Sequence, residues 1–123
     1  MILKTYARVF TTDLAVSLPL FQQLVGREPD IRFTLGEWEI VALGDLLLVG
    51  GTTEALAPIR NSYGPLVVDD LNTTQQQLIQ AGAVITQPIS TTPMGTMLYA
   101  QHPDGTVMEY VQWTPDLVKQ IIG

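Results

Sequence analysis

The run His102-Pro103-Asp104-Gly105-Thr106-Val107-Met108-Glu109-Tyr110-Val111-Gln112 joins a tight turn to a strand. Pro103, Asp104 and Gly105 are turn residues, each for its own reason: a fixed φ, a side chain that bonds nearby backbone, and freedom at positive φ. The residue before a proline is held extended, so His102 heads the turn. From Val107 to Trp113 the chain is rich in β-branched and aromatic residues, which suit a strand. Successive strand side chains point to opposite faces. Val107, Glu109, Val111 and Trp113 therefore share one face, and Glu109 is the carboxylate on it.

The same device occurs earlier. Gly44-Asp45 precedes Leu46-Leu47-Leu48-Val49, with its glycine 61 residues before Gly105. YARVFTTDL (Tyr6 to Leu14) and YGPLVVDDL (Tyr63 to Leu71) are alternating runs that open on Tyr and close on an acidic residue and Leu, 57 residues apart. Each leads into a helix-like stretch ending on a glycine, Gly26 or Gly82, as a left-handed C-terminal cap requires. Four landmarks in one order read as two tandem modules. In the first, Thr12 or Asp13 caps a helix over Leu14–Val25 with an apolar stripe of Leu14, Leu18, Phe21 and Val25. Pro19 interrupts it, and a missing N–H there predicts a kink or a late start. In the second, Asp70 or Asn72 caps a helix carrying Leu71, Leu78 and Ile79. Three strands follow each helix: Ile31–Leu35, Trp38–Leu43 and Leu46–Val49, then Val84–Ile89, Met97–Gln101 and Val107–Trp113. Leu56–Ser62 reads as a linker, and Thr114-Pro115 opens a short helix over about 115–122. The fold class is thus α+β, two βαβββ modules in one domain over 1–123: module one about 1–55, module two about 62–113.

Composition narrows the function. Twelve acidic residues against six Lys and Arg leave no basic face for nucleic acid or an anionic membrane. With no cysteine, zinc–thiolate sites, iron–sulfur clusters and thiol nucleophiles are excluded, and a reducing cytoplasm is the expected setting. No apolar run approaches the length of a membrane span. The opening Met1-Ile2-Leu3-Lys4 lacks the order of a signal peptide and reads as the start of a strand.

Paired βαβββ modules, the Val68-Asp69-Asp70-Leu71 opening and above all the His102–Gln112 hairpin resemble the vicinal oxygen chelate superfamily, also called the glyoxalase/bleomycin resistance protein/dioxygenase superfamily. The resemblance implies a curved, mostly antiparallel sheet around a cavity, with helices outside, and a homodimer. It also implies one divalent ion in the metal-dependent members, held by residues of the first and last strand of each module. Those four places here are Tyr6, Leu48, Tyr63 and Glu109. Only Glu109 is an ordinary ligand for a divalent ion, which needs three or more. No metal and no other cofactor is expected.

By alternation Tyr6, Arg8 and Phe10 face the cavity, while Ala7, Val9 and Thr11 face the helix. Tyr63, Pro65 and Val67 join the cavity side, with Trp113 at its wall. Arg8 holds a ligand carboxylate or phosphate, or pairs with Glu109, Glu39 or Glu37. Glu109 is that partner, a general base, or a relic of the metal site. Tyr6 and Tyr63 contact a ligand or fill space, and Leu48 completes the candidate lining. The reading is a metal-free protein that sequesters a largely apolar or aromatic small molecule. The alternatives are a metal-free isomerase or lyase with Glu109 as base, then a divalent-metal glyoxalase or dioxygenase.

Overall fold

The computed structural model describes residues 1–123. Its elements are β1 (Ile2–Thr5), β2 (Ala7–Thr11), α1 (Leu14–Val25), β3 (Ile31–Leu35), β4 (Trp38–Leu43), β5 (Leu46–Gly50), α2 (Thr53–Leu56), β6 (Ser62–Val68), α3 (Leu71–Gln80), β7 (Val84–Thr92), β8 (Gly95–Gln101), β9 (Val107–Trp113) and α4 (Pro115–Ile121). They form two units, Tyr6–Asn61 and Met1–Thr5 with Ser62–Gly123.

The first unit is a four-stranded sheet in the order β2-β5-β4-β3, with β2 parallel to β5. The second has the order β1-β6-β9-β8-β7, with β6 parallel to β9. Without β1 the two sheets share one order and one set of strand directions, so the repeat read from the sequence is a structural repeat. Five of the seven strand pairings are antiparallel. Two points differ from the sequence reading. The strands make two sheets rather than one. The opening strand, placed with module one, pairs antiparallel with β6, Ile2 against Val68 and Thr5 against Leu66. The strand character of residues 2–5 is local, whereas its partner is set by long-range pairing that adjacency in sequence does not reveal.

Helices α1 and α3 each lie on one face of their own sheet. In the first unit Leu14, Leu18 and Phe21 pack on Val9, Val41, Leu43, Leu46 and Leu48. The Thr11 hydroxyl meets that of Ser17 on α1 at 2.6 Å. Pro19 sits inside α1, yet the helix starts at Leu14 and not late. Gly26, at φ +81°, closes it as a left-handed cap. In the second unit Leu71 and Leu78 pack on Leu66, Val68, Leu98, Ala100 and Tyr110. Asp70 is the cap of α3, accepting from the Thr73 amide at 3.2 Å, and the Gln112 side chain accepts from the Leu71 amide at 2.8 Å. Thr114 caps α4 as read.

The short helix α2 lies between the strand expected at Leu46–Val49 and the linker expected from Leu56. Its signal was present. The Thr52 hydroxyl accepts from the Ala55 amide at 3.1 Å, with Glu54 in the first turn.

Candidate functional site

The phase of β2 is fixed by its contacts. Val9 packs under α1 and Thr11 bonds Ser17, so Arg8 and Phe10 point to the other face of the sheet, as alternation predicts. Their cross-strand neighbours on β5 are Leu47 and Val49, and the next strand adds Ala42 and Ile40. All four are buried. Two guanidinium groups stand near Phe10: Arg8 and Arg60 each lie 5.8 Å from the ring centroid. That is two of the six Lys and Arg residues of the chain on one aromatic ring. Cations at this range are drawn to the negative face of a ring. Arg60 falls in the stretch read as a linker, and nothing local marks it as a site residue. Of the carboxylates weighed as partners for Arg8, Glu39 is engaged elsewhere: it accepts from Arg32 at 2.6 and 2.8 Å.

Leu48 is misplaced by the sequence reading. It is fully buried in the core under α1, in register with Val9 and Val41. It belongs to the helix face and not to the face of Arg8. The cause is the landmark. Gly44 sits in a two-residue turn between Leu43 and Leu46, whereas five residues, 102–106, separate β8 from β9. A turn glycine marks the bend and not the phase of the pleat. The residues that do share a face with Arg8 and Phe10, Leu47 and Val49, are aliphatic too.

Tyr63 is also displaced. The register slips between Tyr63 and Leu66, leaving Tyr63 beside Met108 and 62% exposed. The residue against the Glu109 backbone is Gly64. A Cβ there would lie 2.8 Å from the Glu109 carbonyl oxygen. Glu109 itself is half-buried, on the face of β9 away from Met108 and Tyr110, which pack under α3. Trp113 ends β9, buried, opposite Gly95.

These placements test the metal site that the fold implies. Leu48 has no donor and lies in the helix core, and Tyr63 is out of register. Tyr6 is a buried phenol whose pKa is pushed well above its ordinary value of 10.0, by burial first and then by the Asp30 and Asp45 carboxylates, with Arg27 opposing. A phenol held neutral is a poor ligand. No three His, Asp or Glu side chains cluster to hold an ion. The residues present do not fit a divalent metal.

The raised pKa of Tyr6 has a consequence for stability. Below pH 10.0 folded and unfolded chains both keep the phenolic proton. Above it the unfolded chain releases the proton and native Tyr6 does not, so stability falls as the pH rises further. Thermal melts from about pH 8 to 11 should therefore show an alkaline decline that Tyr6→Phe reduces. An unchanged decline would mean that other groups cause it.

Two hollows open elsewhere. One of about 440 Å³ in the first unit is walled by Thr12, Thr34, Trp38, Thr52 and the carboxylates Glu37 and Glu39, both weighed as partners of Arg8, and takes in none of the residues expected to line the ligand cavity. The other, of about 250 Å³, belongs to the second unit and is lined by Ile2, Val68, Leu78, Ala81, His102 and Tyr110, among others. His102 does head its turn, but its Nε2 also lies 2.7 Å from the Tyr110 hydroxyl. The sequence reading missed that pair.

No family model matches the chain, and no curated protein matches it by sequence. Solved structures do. An uncharacterised protein from Methanosarcina mazei is 31% identical over 93% of this chain and 94% of its own, with a TM-score of 0.88. Methylmalonyl-CoA epimerase from Mycobacterium tuberculosis is 15% identical, over 96% and 93%, with a TM-score of 0.69. A glyoxalase/bleomycin resistance protein/dioxygenase superfamily member from Vibrio splendidus is 17% identical, over 89% and 97%, with a TM-score of 0.58. The chain therefore belongs to one family with the Methanosarcina protein, and its fold is that of the glyoxalase/bleomycin resistance protein/dioxygenase superfamily.

Proposed function

We propose that this protein binds and sequesters a small, largely apolar or aromatic molecule that carries an acidic group, without a metal ion. The observation behind this is the pair of guanidiniums, Arg8 and Arg60, each 5.8 Å from the Phe10 ring, on a sheet face that also carries Ile40, Ala42, Leu47 and Val49. An aromatic ring beside aliphatic side chains takes up an apolar body, and a guanidinium takes a carboxylate through two parallel hydrogen bonds. The absence of a fitting ligand set for a divalent ion supports the metal-free part. The chain acts in this reading as a cytoplasmic homodimer, in keeping with its lack of cysteine and with the superfamily resemblance.

Benzoate is a simple probe of the reading. Calorimetric titration should give saturable binding. Loss of one charge-assisted hydrogen bond costs about 1.5–3 kcal/mol, or about 10- to 100-fold in affinity. Arg8→Ala and Arg60→Ala should each weaken binding on that scale, and Phe10→Leu less. Native mass spectrometry with metal analysis on the same sample should find no stoichiometric divalent ion. A bound metal, or benzoate affinity indifferent to both arginines, would sink the proposal.

A second reading makes Glu109 a general base for a metal-free isomerisation or lyase step. What favours it is the placement of Glu109 outside the core packed under α3, together with the fold shared with methylmalonyl-CoA epimerases. Its mark would be exchange of an acidic C–H of a bound ligand with deuterium from solvent, lost in Glu109→Gln. Sequestration alone predicts no exchange in either protein.

A further inference from the structure

On the helix side of the second sheet lies a hollow that none of the roles above uses. It measures about 250 Å³, and Ile2, Val68, Leu78 and Ala81 make its apolar wall. Ile2 comes from β1 and Val68 from β6, while Leu78 and Ala81 come from the end of α3. Thr74, Gln77, His102 and Tyr110 supply polar side chains to the lining, and Met1 lines it too, its ammonium paired with Asp69 at 2.7 Å. The Tyr110 side chain is buried, and burial pushes its phenol pKa up, so the hydroxyl keeps its proton. The hydroxyl lies 2.7 Å from His102 Nε2 and donates to the Met108 sulfur at 3.8 Å. The bond to Tyr110 holds the His102 ring in the lining of the hollow.

A hollow with an apolar wall and a few polar groups is the usual form of a small-molecule site. We propose that this hollow is a second ligand site, distinct from the Arg8 and Phe10 face, and that it takes a compact, mostly apolar molecule bearing one hydroxyl, which bonds the ring of His102. The volume limits the ligand to about one six-membered ring with a small substituent, since a cavity of about 150 Å³ already holds benzene. The site differs in charge from the other. It has no guanidinium where the Phe10 face has two, so it suits a small neutral molecule better than a carboxylate. Tyr110 is a positioning residue here, holding the ring of His102.

Phenol is the probe. Titrated into isotopically labelled full-length protein, it should shift the amides of Leu78 and Ala81 and the His102 ring signals together and saturably, with the amides near Phe10 unmoved. His102→Phe keeps an aromatic ring and removes the nitrogens. Affinity should fall about tenfold, the scale of one lost neutral hydrogen bond. Ala81→Leu fills the mouth of the hollow from an exposed position and should abolish the shifts while melting as the parent does. Tyr110→Phe removes the bond to His102 and should move the His102 ring signals even without phenol. Shifts that never saturate, that gather at Phe10 and Arg8 instead, or that persist unchanged in both His102→Phe and Ala81→Leu overturn the proposal. The benzoate titration is unaffected by any of these outcomes, so the two sites stand or fall separately.

Discussion

Leu48→Glu should unfold this protein rather than give it a metal ligand. By the order of landmarks in the sequence, Leu48 occupies the place where metal-dependent members of the superfamily carry a ligand, and a carboxylate there is the obvious way to restore one. The structure puts it elsewhere. Leu48 has no exposed surface, lies in register with Val9 and Val41, and packs beneath Leu14 and Leu18 of α1. Two costs then add. Deleting the leucine from a packed core forfeits about 2–5 kcal/mol. An unpaired carboxylate in its place must either stay charged in an apolar surrounding or take up a proton at the expense of folding. A domain of this size has about 5–15 kcal/mol to lose. Urea titration should find Leu48→Glu unfolded or barely folded at neutral pH, while Leu48→Met, which keeps volume and polarity, stays within about 1.5 kcal/mol of the parent. A well-folded Leu48→Glu protein that binds zinc would show that β5 is turned over, and the account of the metal site would fall with it.

The buried place of Leu48 marks how far the sequence is legible. Signals written in neighbouring residues carried through: the caps Asp70 and Thr114, the closing glycines Gly26 and Gly82, and the alternation that turns Arg8 and Phe10 away from α1. Each depends on a few bonds within a turn or a pleat. What failed depends on how distant strands meet. The phase of β5 relative to β9 could not be taken from two glycines in turns of unequal length. The slip between Tyr63 and Leu66 exists only in the pairing of β6 with β9. The partner of β1 is more than sixty residues away. The candidate site divides along the same line. Arg8 and Phe10 were accessible because they sit two apart on one strand. Arg60 was not, because only a return of the chain after α2 brings it to the ring. His102 and Tyr110 are eight residues apart with a turn between them, and nothing in their spacing announces a bond.

Gly95→Ala is expected to be the most damaging of the conservative changes. Gly95 follows the two-residue turn Pro93-Met94, pairs with Thr92 on one side and Trp113 on the other, and has φ +142°. Only glycine adopts such a conformation without strain, and forcing another residue into it costs about 1–3 kcal/mol. Space is the larger obstacle. A Cβ at this position would lie 2.1 Å from the Gln112 carbonyl oxygen and 3.1 Å from the Trp113 Cα, both backbone atoms of β9. Neither can rotate out of the way as a side chain would. The β7–β8 hairpin must therefore lift from β9, a strand of the sheet interior, breaking pairs that run from Gly95–Trp113 toward Gln101–Val107. Strain and overpacking together should remove about 3–5 kcal/mol. Gly105→Ala is the matched control. It also has a positive φ, +93°, but no atom lies within 4 Å of its added Cβ, so it should lose only about 1–2 kcal/mol. Because Trp113 stands opposite Gly95, its fluorescence should report the opening in the one variant and stay native in the other. Equal losses for the two would mean that backbone strain alone governs both glycines and that β9 yields to a methyl group. Trp113 would then be too loosely held to wall a binding site, whereas the expected inequality makes this corner of the sheet a rigid one.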